Sequence, residues 1–469
     1  MLLLDIGGLD KLCNYVGTRL GNSADFTLRP IDKPGCRLAV MYIRNISGRQ
    51  YIADRVVAPL VKYCDNSFRG GFDSLLQSAA LSPCNSPEEA VQSLLYGNLV
   101  VAAETDRLYC TVVGADNFAH RSVSEPDSDV TVKGPRAGFT ESGEGNVAAL
   151  RRVIKNPDLR VEKQTVGSLT GTDVFIVYLQ GRADEAVLSA VRRRLKTAKA
   201  SCVVDSGNIE QLLAPKGSFF PTLGSSEKVD KVASKILSGR VGLVCDGSPF
   251  VLTAPYVFAE SIQSAEDYLK PAWYATFMRC LRFFALLASL LLPAMFTAAV
   301  YHDSWVLPSV LMESLHEMEK DIKLSFFAEI LLMLTAFEVI REVGVRMPRS
   351  VGEAVGLVAS LLVGDATVEA GLAGTSVLLI VAFSETSGFI VPAMSSAGVL
   401  LRYLYLFAAY FAGFNGLLFA FGLTVIALLK KKSFGVGYMT PLYPLNPRGM
   451  EDFLLAIPKK TLGRREKLK

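Results

Sequence analysis

Apolar and polar positions divide this chain into two unequal parts. Residues 1–270 carry short apolar runs broken by charge, whereas residues 281–430 hold several long runs. Phe283–Val300 is eighteen residues without a charge, flanked by Arg279 and Arg282. At ~1.5 Å rise per residue it just crosses a ~30 Å hydrocarbon core. Pro293 predicts a kink within it. Leu324–Ile340 is a second, shorter run, interrupted by Glu329 and Glu338. Leu372–Phe383 and Gly388–Met394 are apolar again, broken around Ser384, Glu385, Thr386 and Ser387. Tyr403–Leu429 is twenty-seven uncharged residues ending in Lys430, Lys431 and Lys432, the strongest single span in the chain.

Loop charge orients these runs. The segment 302–323 carries Asp303, Glu313, Glu317, Glu319 and Asp321 against Lys320 and Lys323, which fits the side away from the cytoplasm. Arg341, Arg346 and Arg349 place the far end of the second run in the cytoplasm, and the three lysines do the same for the last. Residues 353–402 then make one net crossing but hold apolar sequence for two. One piece is therefore expected to be broken or re-entrant, as backbone packed on protein or lining a cavity allows.

Six acids punctuate the apolar stretch from Leu324 to Glu369: Glu329, Glu338, Glu342, Glu353, Asp365 and Glu369. Carboxylates at membrane depth are costly and mark pathways or coupling sites. Glu338 with Arg341, Glu342 with Arg346 and Arg349 with Glu353 stand at helix-neighbour spacing and form candidate ion pairs. Glu329, Asp365, Glu369 and Glu385 remain as candidate pore or gating acids. Gly352, Gly356, Ser360 and Gly364 recur every four residues, a small-residue ladder that admits a close helix neighbour.

The first 270 residues read as α/β. Leu38–Ile43 (LAVMYI) is a strand, Tyr51–Tyr63 is helical despite Pro59, and Phe72–Ala79 is helical. Ser86 before Pro87 and two glutamates starts a helix. Asn98–Ala103 and Leu108–Val113 form a hairpin. After a polar loop, Val147–Lys155 is a helix, and Leu159–Gly167 with Thr172–Gln180 makes a second hairpin. Ala183–Lys199 is a basic amphipathic helix bearing Arg192, Arg193, Arg194, Lys196 and Lys199, either a solvated face or a face for anionic lipid or a partner. Ser225–Leu237 is a further helix, and Asp246-Gly247 turns a last hairpin.

The expected architecture is an α/β soluble N-terminal region of two subdomains (1–114 and 115–270), then an α-helical polytopic membrane domain (271–432), then a basic cytosolic tail (433–469). The membrane domain has about four net spans plus a broken or re-entrant segment. Composition adds little to this: 49 basic against 45 acidic residues give a net charge of +4, which offers no case for nucleic acid. Eight cysteines without a CxxC pair argue against a zinc site or a disulfide framework, and imply reduced thiols facing the cytosol. The start, MLLLDIGGLDKL, lacks the basic segment and apolar length of a signal peptide. There is no phosphate-binding loop, no dinucleotide fingerprint and no HExxH, so neither an enzyme nor a cofactor is expected.

Several segments together resemble the A subunits of the GerA-type spore germinant receptors. They are GPRAGFTESGEGN (Gly134–Asn146), VGLVCDGSPFVLTAPYVF (Val241–Phe258), EDYL before the first span, Phe337–Leu372 and YMTPLYPLNP (Tyr438–Pro447). In the soluble motif the matching positions are Gly134, Pro135, Arg136, Gly138, Phe139, Glu141 and Asn146. By its residues alone, the Gly134–Arg136 turn is either an anion contact through Arg136 or an ordered structural turn. The resemblance implies a role in nutrient-triggered germination of endospores, in the spore inner membrane. It implies a transporter-like B subunit and a lipoprotein C subunit as partners, and self-association, as a ring, into a ligand-gated ion channel. An accessory paralogue that assists ion release without sensing a nutrient, or a secondary transporter, stand as alternatives.

Overall fold

The computed structural model describes residues 8–33, 36–63, 75–76, 80–104, 108–114, 135–198, 200–215, 217–306, 322, 324–346, 364–445, 452–453 and 455. The first subdomain runs α1 (Leu9–Arg19), β1 (Phe26–Lys33), β2 (Cys36–Ile43), α2 (Arg49–Tyr51), α3 (Ala58–Tyr63), β3 (Leu81–Pro83), α4 (Pro87–Leu95), β4 (Leu99–Glu104) and β5 (Leu108–Val113). Its five strands form one antiparallel sheet in the order β1-β2-β4-β5-β3. Helices cover both faces. Ala39, Met41 and Ile43 of β2 pack with Leu12 and Val16 of α1 and Leu94 of α4. Leu38 and Val40 point the other way, to Val56 and Leu60. A strand buried on both sides must be apolar at every position, which is why LAVMYI shows no alternation.

Local signals fix several of these elements. Ser86 Oγ accepts from the Glu89 N–H at 3.1 Å, and Pro87 takes the first helical position of α4. Tyr51–Tyr63 is helical as expected, from a start at Arg49, but its middle turn, Ile52–Val57, is π-helical. It lies just ahead of Pro59, whose ring clashes with the carbonyl four residues back in an unbroken α-helix. The helix expected at Phe72–Ala79 lies largely outside the described residues. Both α1 and β1 went unforeseen.

The second subdomain runs α5 (Gly143–Val153), β6 (Leu159–Val166), β7 (Thr172–Leu179), α6 (Glu185–Thr197), α7 (Ser206–Leu213), β8 (Gly224–Ser226), α8 (Val229–Leu237), β9 (Val241–Cys245) and β10 (Val251–Ala254). Its sheet order is β6-β7-β9-β10-β8, again antiparallel throughout. Among the described residues the two subdomains therefore share one plan: helix, hairpin, helical segment, short strand, helix, hairpin, the helical segment being one stretch in the first and two helices in the second. The faces correspond as well. α1 and α4 share a face in the first unit, as α5 and α8 do in the second, where Val147, Leu150, Val232 and Ile236 pack on Val177 and Val244.

Helix α5 joins the units. The Arg151 guanidinium, 1% exposed, donates from Nε and Nη2 to both carboxylate oxygens of Asp25, at 2.7 and 3.1 Å. The Asn45 amide donates to Glu144 at 2.9 Å, and the Ala24 N–H donates to the Val161 carbonyl at 2.9 Å.

Past β10 the chain forms a short helix α9 (Ala259–Ile262) and then α10 (Ala272–Tyr301), α11 (Phe326–Arg346), α12 (Thr375–Phe389) and α13 (Ser395–Lys430). A small hairpin, β11 (Lys432–Ser433) and β12 (Val436–Gly437), follows. Residues Ala272–Tyr301 and Pro392–Lys430 are long and apolar enough to cross a membrane.

Residues assigned by sequence to a tail return to the soluble region. Phe434 joins the core of the second subdomain, beneath the Arg194 guanidinium at 4.5 Å. The Tyr256 N–H donates to Ser433 Oγ at 3.1 Å, and the Phe258 N–H to the Tyr438 carbonyl at 2.9 Å. The first and last long helices are thus both tied to the second subdomain.

Candidate functional site

The apolar helices meet around a few polar groups. α10 and α11 run antiparallel, with the Phe327 N–H donating to the Tyr301 hydroxyl at 3.2 Å at their shared end. At the same end the Phe327 ring stacks on Tyr410 of α13 at 4.2 Å. α12 begins beside the first turn of α11. There the Gly374 N–H, at the N-cap of α12, donates to Glu329 Oε2 at 2.8 Å. A carboxylate at a helix N-terminus is stabilised by the amide dipoles it faces. Glu329 is fully buried in this contact, so within one chain it fastens α11 to α12.

The central cluster lies on α10, α12 and α13. Pro293 has no N–H for the Ser289 carbonyl, four residues back. That carbonyl instead accepts from Arg402 Nε and from Ser384 Oγ, each at 2.9 Å. Arg402 also pairs, through Nη1, with Glu385. All four residues are buried. Gly388 leaves the space: a Cβ there would lie 3.3 Å from Arg402 Nη2 and 3.7 Å from Ser289 Cβ. Pro293, where a kink was expected, lies inside α10, which is helical from Ala272 to Tyr301. A neighbouring arginine and serine satisfy what the proline frees, as apolar surroundings require. The cluster converts an isolated carboxylate, an isolated guanidinium and an orphaned carbonyl into one neutral unit.

Tyr403–Leu429, expected as a single span, is two antiparallel helices. Ala412 and Gly413 leave helical geometry, with Gly413 at φ +59°. On one straight axis Tyr405 and Phe421 would stand about 24 Å apart. Their ring centroids are 6.3 Å apart. Backbone groups freed at the apex find partners in the turn after α10. Asp303 Oδ2 accepts from the Phe414 N–H at 2.6 Å, and His302 Nε2 lies 2.9 Å from the Tyr410 carbonyl. A Cβ at Gly413 would sit 2.6 Å from Asp303 Oδ2 and 2.8 Å from His302 Cβ. Gly413→Ala is therefore expected to cost about 1–3 kcal/mol, through positive φ and this clash. Gly422→Ala in the same hairpin, with nothing within 4 Å of its Cβ position, is expected to be neutral. Thermal unfolding of the two variants in detergent checks the contrast.

The sequence profile of the family described as Bacillus/Clostridium GerA spore germination protein matches residues 14–468, across both the soluble and the helical parts. The chain belongs to the GerA spore germination family. It is 35% identical over 453 residues to spore germination protein KA of Bacillus subtilis, covering 94% of this chain and 82% of that one. It is 30% identical to spore germination protein A1 of the same organism, over 81% of this chain and 79% of that one. An uncharacterized membrane protein of B. subtilis, YfkQ, is also 30% identical, over 91% and 84%. A solved structure, the N-terminal domain of the A subunit of the Bacillus megaterium spore germinant receptor GerK3, aligns with 55% of this chain and 98% of its own, at 26% identity and a TM-score of 0.39.

In this GerA-family chain the 134–146 segment that carried the resemblance in the soluble half serves the backbone. Gly134 lies outside the described residues, and Pro135 and Arg136 are exposed. Gly138 bridges to Lys228, and the Phe139 N–H donates to the Glu227 carbonyl at 2.8 Å. The Phe139 side chain is buried. The Glu141 carbonyl accepts from the Gly247 N–H at 2.8 Å. The buried Asn146 amide bonds both the N–H and the carbonyl of Thr140, at 2.8 and 2.5 Å. The segment thus lays down the strap that leads into α5, the helix that joins the subdomains.

The remaining sequence candidates divide. Glu338 pairs with Arg341, and Glu342 with Arg346 at 2.7 Å, as their spacing predicts. Arg349, Glu353, Gly352, Gly356 and Ser360 lie outside the described residues. Gly364 is buried, its Cβ position 3.5 Å from Leu378, consistent with close helix approach. Asp365 and Glu369 are exposed. Glu385 is buried against Arg402. Arg402 is not among the sequence candidates, although it is the one charged residue between Glu385 and Lys430. That isolation was the available signal. In the basic helix α6, Arg192 is held by Glu162 at 2.6 Å and Arg194 donates to the Leu213 carbonyl at 2.5 Å. Arg193 and Lys196 are exposed, and Lys199 lies outside the described residues.

A second polar cluster fixes the start of α10. Arg279, 0% exposed, bonds Asp267 at 3.1 Å and Asp452 at 3.2 Å, and Arg282 bonds Asp267 at 2.8 Å. Burial alone would push the Asp267 carboxyl up, but the hydrogen bond from Arg282, the Ser264 N–H, the Arg282 charge and the hydrogen bond from Arg279 hold it below the usual carboxylate range. Nearby, Glu260 pairs with Arg240 at 2.8 Å and Lys235 at 2.9 Å, and these cations likewise outweigh its burial and lower it.

Proposed function

We propose that this chain is the A-type membrane subunit of a nutrient germinant receptor, which oligomerises into a ligand-gated ion channel that triggers endospore germination. The observation that carries the proposal is the family match over residues 14–468, which takes in the soluble and helical parts together. The relatives include proteins named as spore germination proteins KA and A1. In this proposal the helical part lies in the spore inner membrane, with the soluble subdomains and the end of the chain on the cytoplasmic side. α10, α11, α12 and the two arms of α13 lie within the membrane. The Ser289–Glu385–Arg402 cluster holds three of these helices in register, and the buried pairs around Arg279 and Glu260 transmit movement from the second subdomain. A transporter-like B subunit and a lipoprotein C subunit complete the receptor. The chain itself performs no catalysis.

The proposal is tested in spores that lack this chain. They are expected to stop releasing monovalent cations after addition of the cognate nutrient, and re-expression of the chain restores release. Unchanged cation release and germination with every nutrient that the parent spores answer would end the proposal. Loss with all nutrients alike, rather than one set, would favour an accessory role.

A further inference from the structure

We propose that the turn at residues 217–221, which carries Phe219 and is held by Lys431 between Lys430 and Lys432, is a contact surface for anionic phospholipid. The inference rests on the membrane placement of the helices proposed above. Phe219 is 68% exposed, although its turn is held firmly on both shoulders. On one side Lys431 Nζ donates to the Phe220 carbonyl at 3.1 Å and to the Ser218 hydroxyl, and stands over the Phe220 ring at 5.2 Å. On the other, Ser433 Oγ donates to the Thr222 carbonyl at 2.7 Å. A rigid turn that presents a phenyl ring to water gains nothing from the exposure, whereas a ring at the boundary of headgroups and acyl chains is favoured.

Position and charge point to lipid as the occupant. The turn sits where α13 ends. The exposed side chains Phe419, Leu423 and Ile426 are spaced at one helical face, and that face continues into Lys430. Lys431 is engaged by the turn, and its chain neighbours Lys430 and Lys432 are exposed. On α10, Trp273, Phe277 and Phe284 form a similar exposed face, with Trp273 two residues into the helix, where an interfacial aromatic belongs. An exposed apolar face that ends in a lysine cluster and the Phe219 turn complements an acyl region bounded by anionic headgroups. The Phe219 turn would then fix the height of the second subdomain over the bilayer.

The test uses the full chain in proteoliposomes of phosphatidylglycerol and phosphatidylcholine. Trp273→Phe and Trp305→Phe remove the two native tryptophans, and single probes are introduced as Phe219→Trp, Phe419→Trp and Leu28→Trp. Lipids brominated along the acyl chain are expected to quench the probes at positions 219 and 419 but not the one at 28, on the exposed edge strand β1. Aqueous iodide should do the reverse. Bromines carried by phosphatidylglycerol should quench position 219 roughly twofold more than bromines carried by phosphatidylcholine in the same mixture. Equal quenching by the two lipids overturns the anionic preference. Iodide quenching of position 219 while position 419 answers to bromine overturns this inference alone, and failure of both positions overturns the membrane placement. Protection of position 219 from both quenchers means that protein covers the turn, and also overturns the inference.

Discussion

Arg402→Leu is expected to be the most damaging single substitution in the helical region. It strips the Glu385 carboxylate of its buried counter-ion and removes one of the two donors to the Ser289 carbonyl. Removing one member of a buried ion pair costs about 3–5 kcal/mol, because the other charge stays desolvated. Glu385→Gln keeps an acceptor for the guanidinium, so it should cost less. The double variant Arg402→Leu/Glu385→Leu should recover much of the loss, since no unpaired charge remains and Ser384 still serves the carbonyl. Unfolding midpoints in detergent measure all three. An Arg402→Leu variant as stable as the parent would show that the cluster holds nothing together. If the cluster also positions the helices for gating, the surviving variants should shift the nutrient concentration needed for cation release.

The second large effect is expected at Arg279. Arg279→Ala leaves Asp267 with Arg282 and the Ser264 N–H, and deprives Asp452 of its guanidinium partner. The charge-assisted hydrogen bonds lost with the guanidinium predict a cost of about 1.5–3 kcal/mol. Here pH gives an independent check. The Asp267 carboxyl is held down in the folded chain, so its contribution is fully present above the unfolded-state value of about 3.9 and fades as pH falls through the lower folded value. The Tm of the parent should therefore drop more than that of Asp267→Asn on going from about pH 6 to about pH 3. Equal drops would mean that this carboxylate is not linked to stability.

Much of the soluble fold was legible because its signals are local. The β6–β7 hairpin alternates along Leu159–Val166, Asp246-Gly247 turns the β9–β10 hairpin with Gly247 at φ +88°, and Ser86-Pro87 starts α4. β1 was missed because FTLRPIDK is an edge strand with Pro30 and mixed charge, so it carries no apolar period. α1 was missed because the start of the chain was weighed only as a leader. The shared plan of the two subdomains was hidden because it resides in strand order and in which face each helix covers, and unrelated apolar residues fill those positions equally well.

The candidate site was legible in kind and not in arrangement. Glu338–Arg341 and Glu342–Arg346 follow from spacing along one helix. The Glu329–Gly374 contact and the Ser289–Arg402 bond join residues 45 and 113 apart in the sequence. No periodicity reports such contacts. The segment around Asn146 was visible as part of a resemblance, but only the folded chain shows the Asn146 amide spent on Thr140.

By itself, then, the sequence determined which stretches are apolar, which residues cap and turn them, which charges pair along one helix, and the family to which the chain is similar. These depend on neighbours within a few residues. Tertiary structure alone decided that Tyr403–Leu429 folds back at Gly413, that the carbonyl freed by Pro293 is taken by Arg402 and Ser384, and that Phe434 and Tyr438 return to the soluble region. Hydropathy sums composition along a segment and is blind to a reversal of direction within it. A buried charge is likewise tolerated or not according to what packing brings opposite it, however far away in the chain that partner lies.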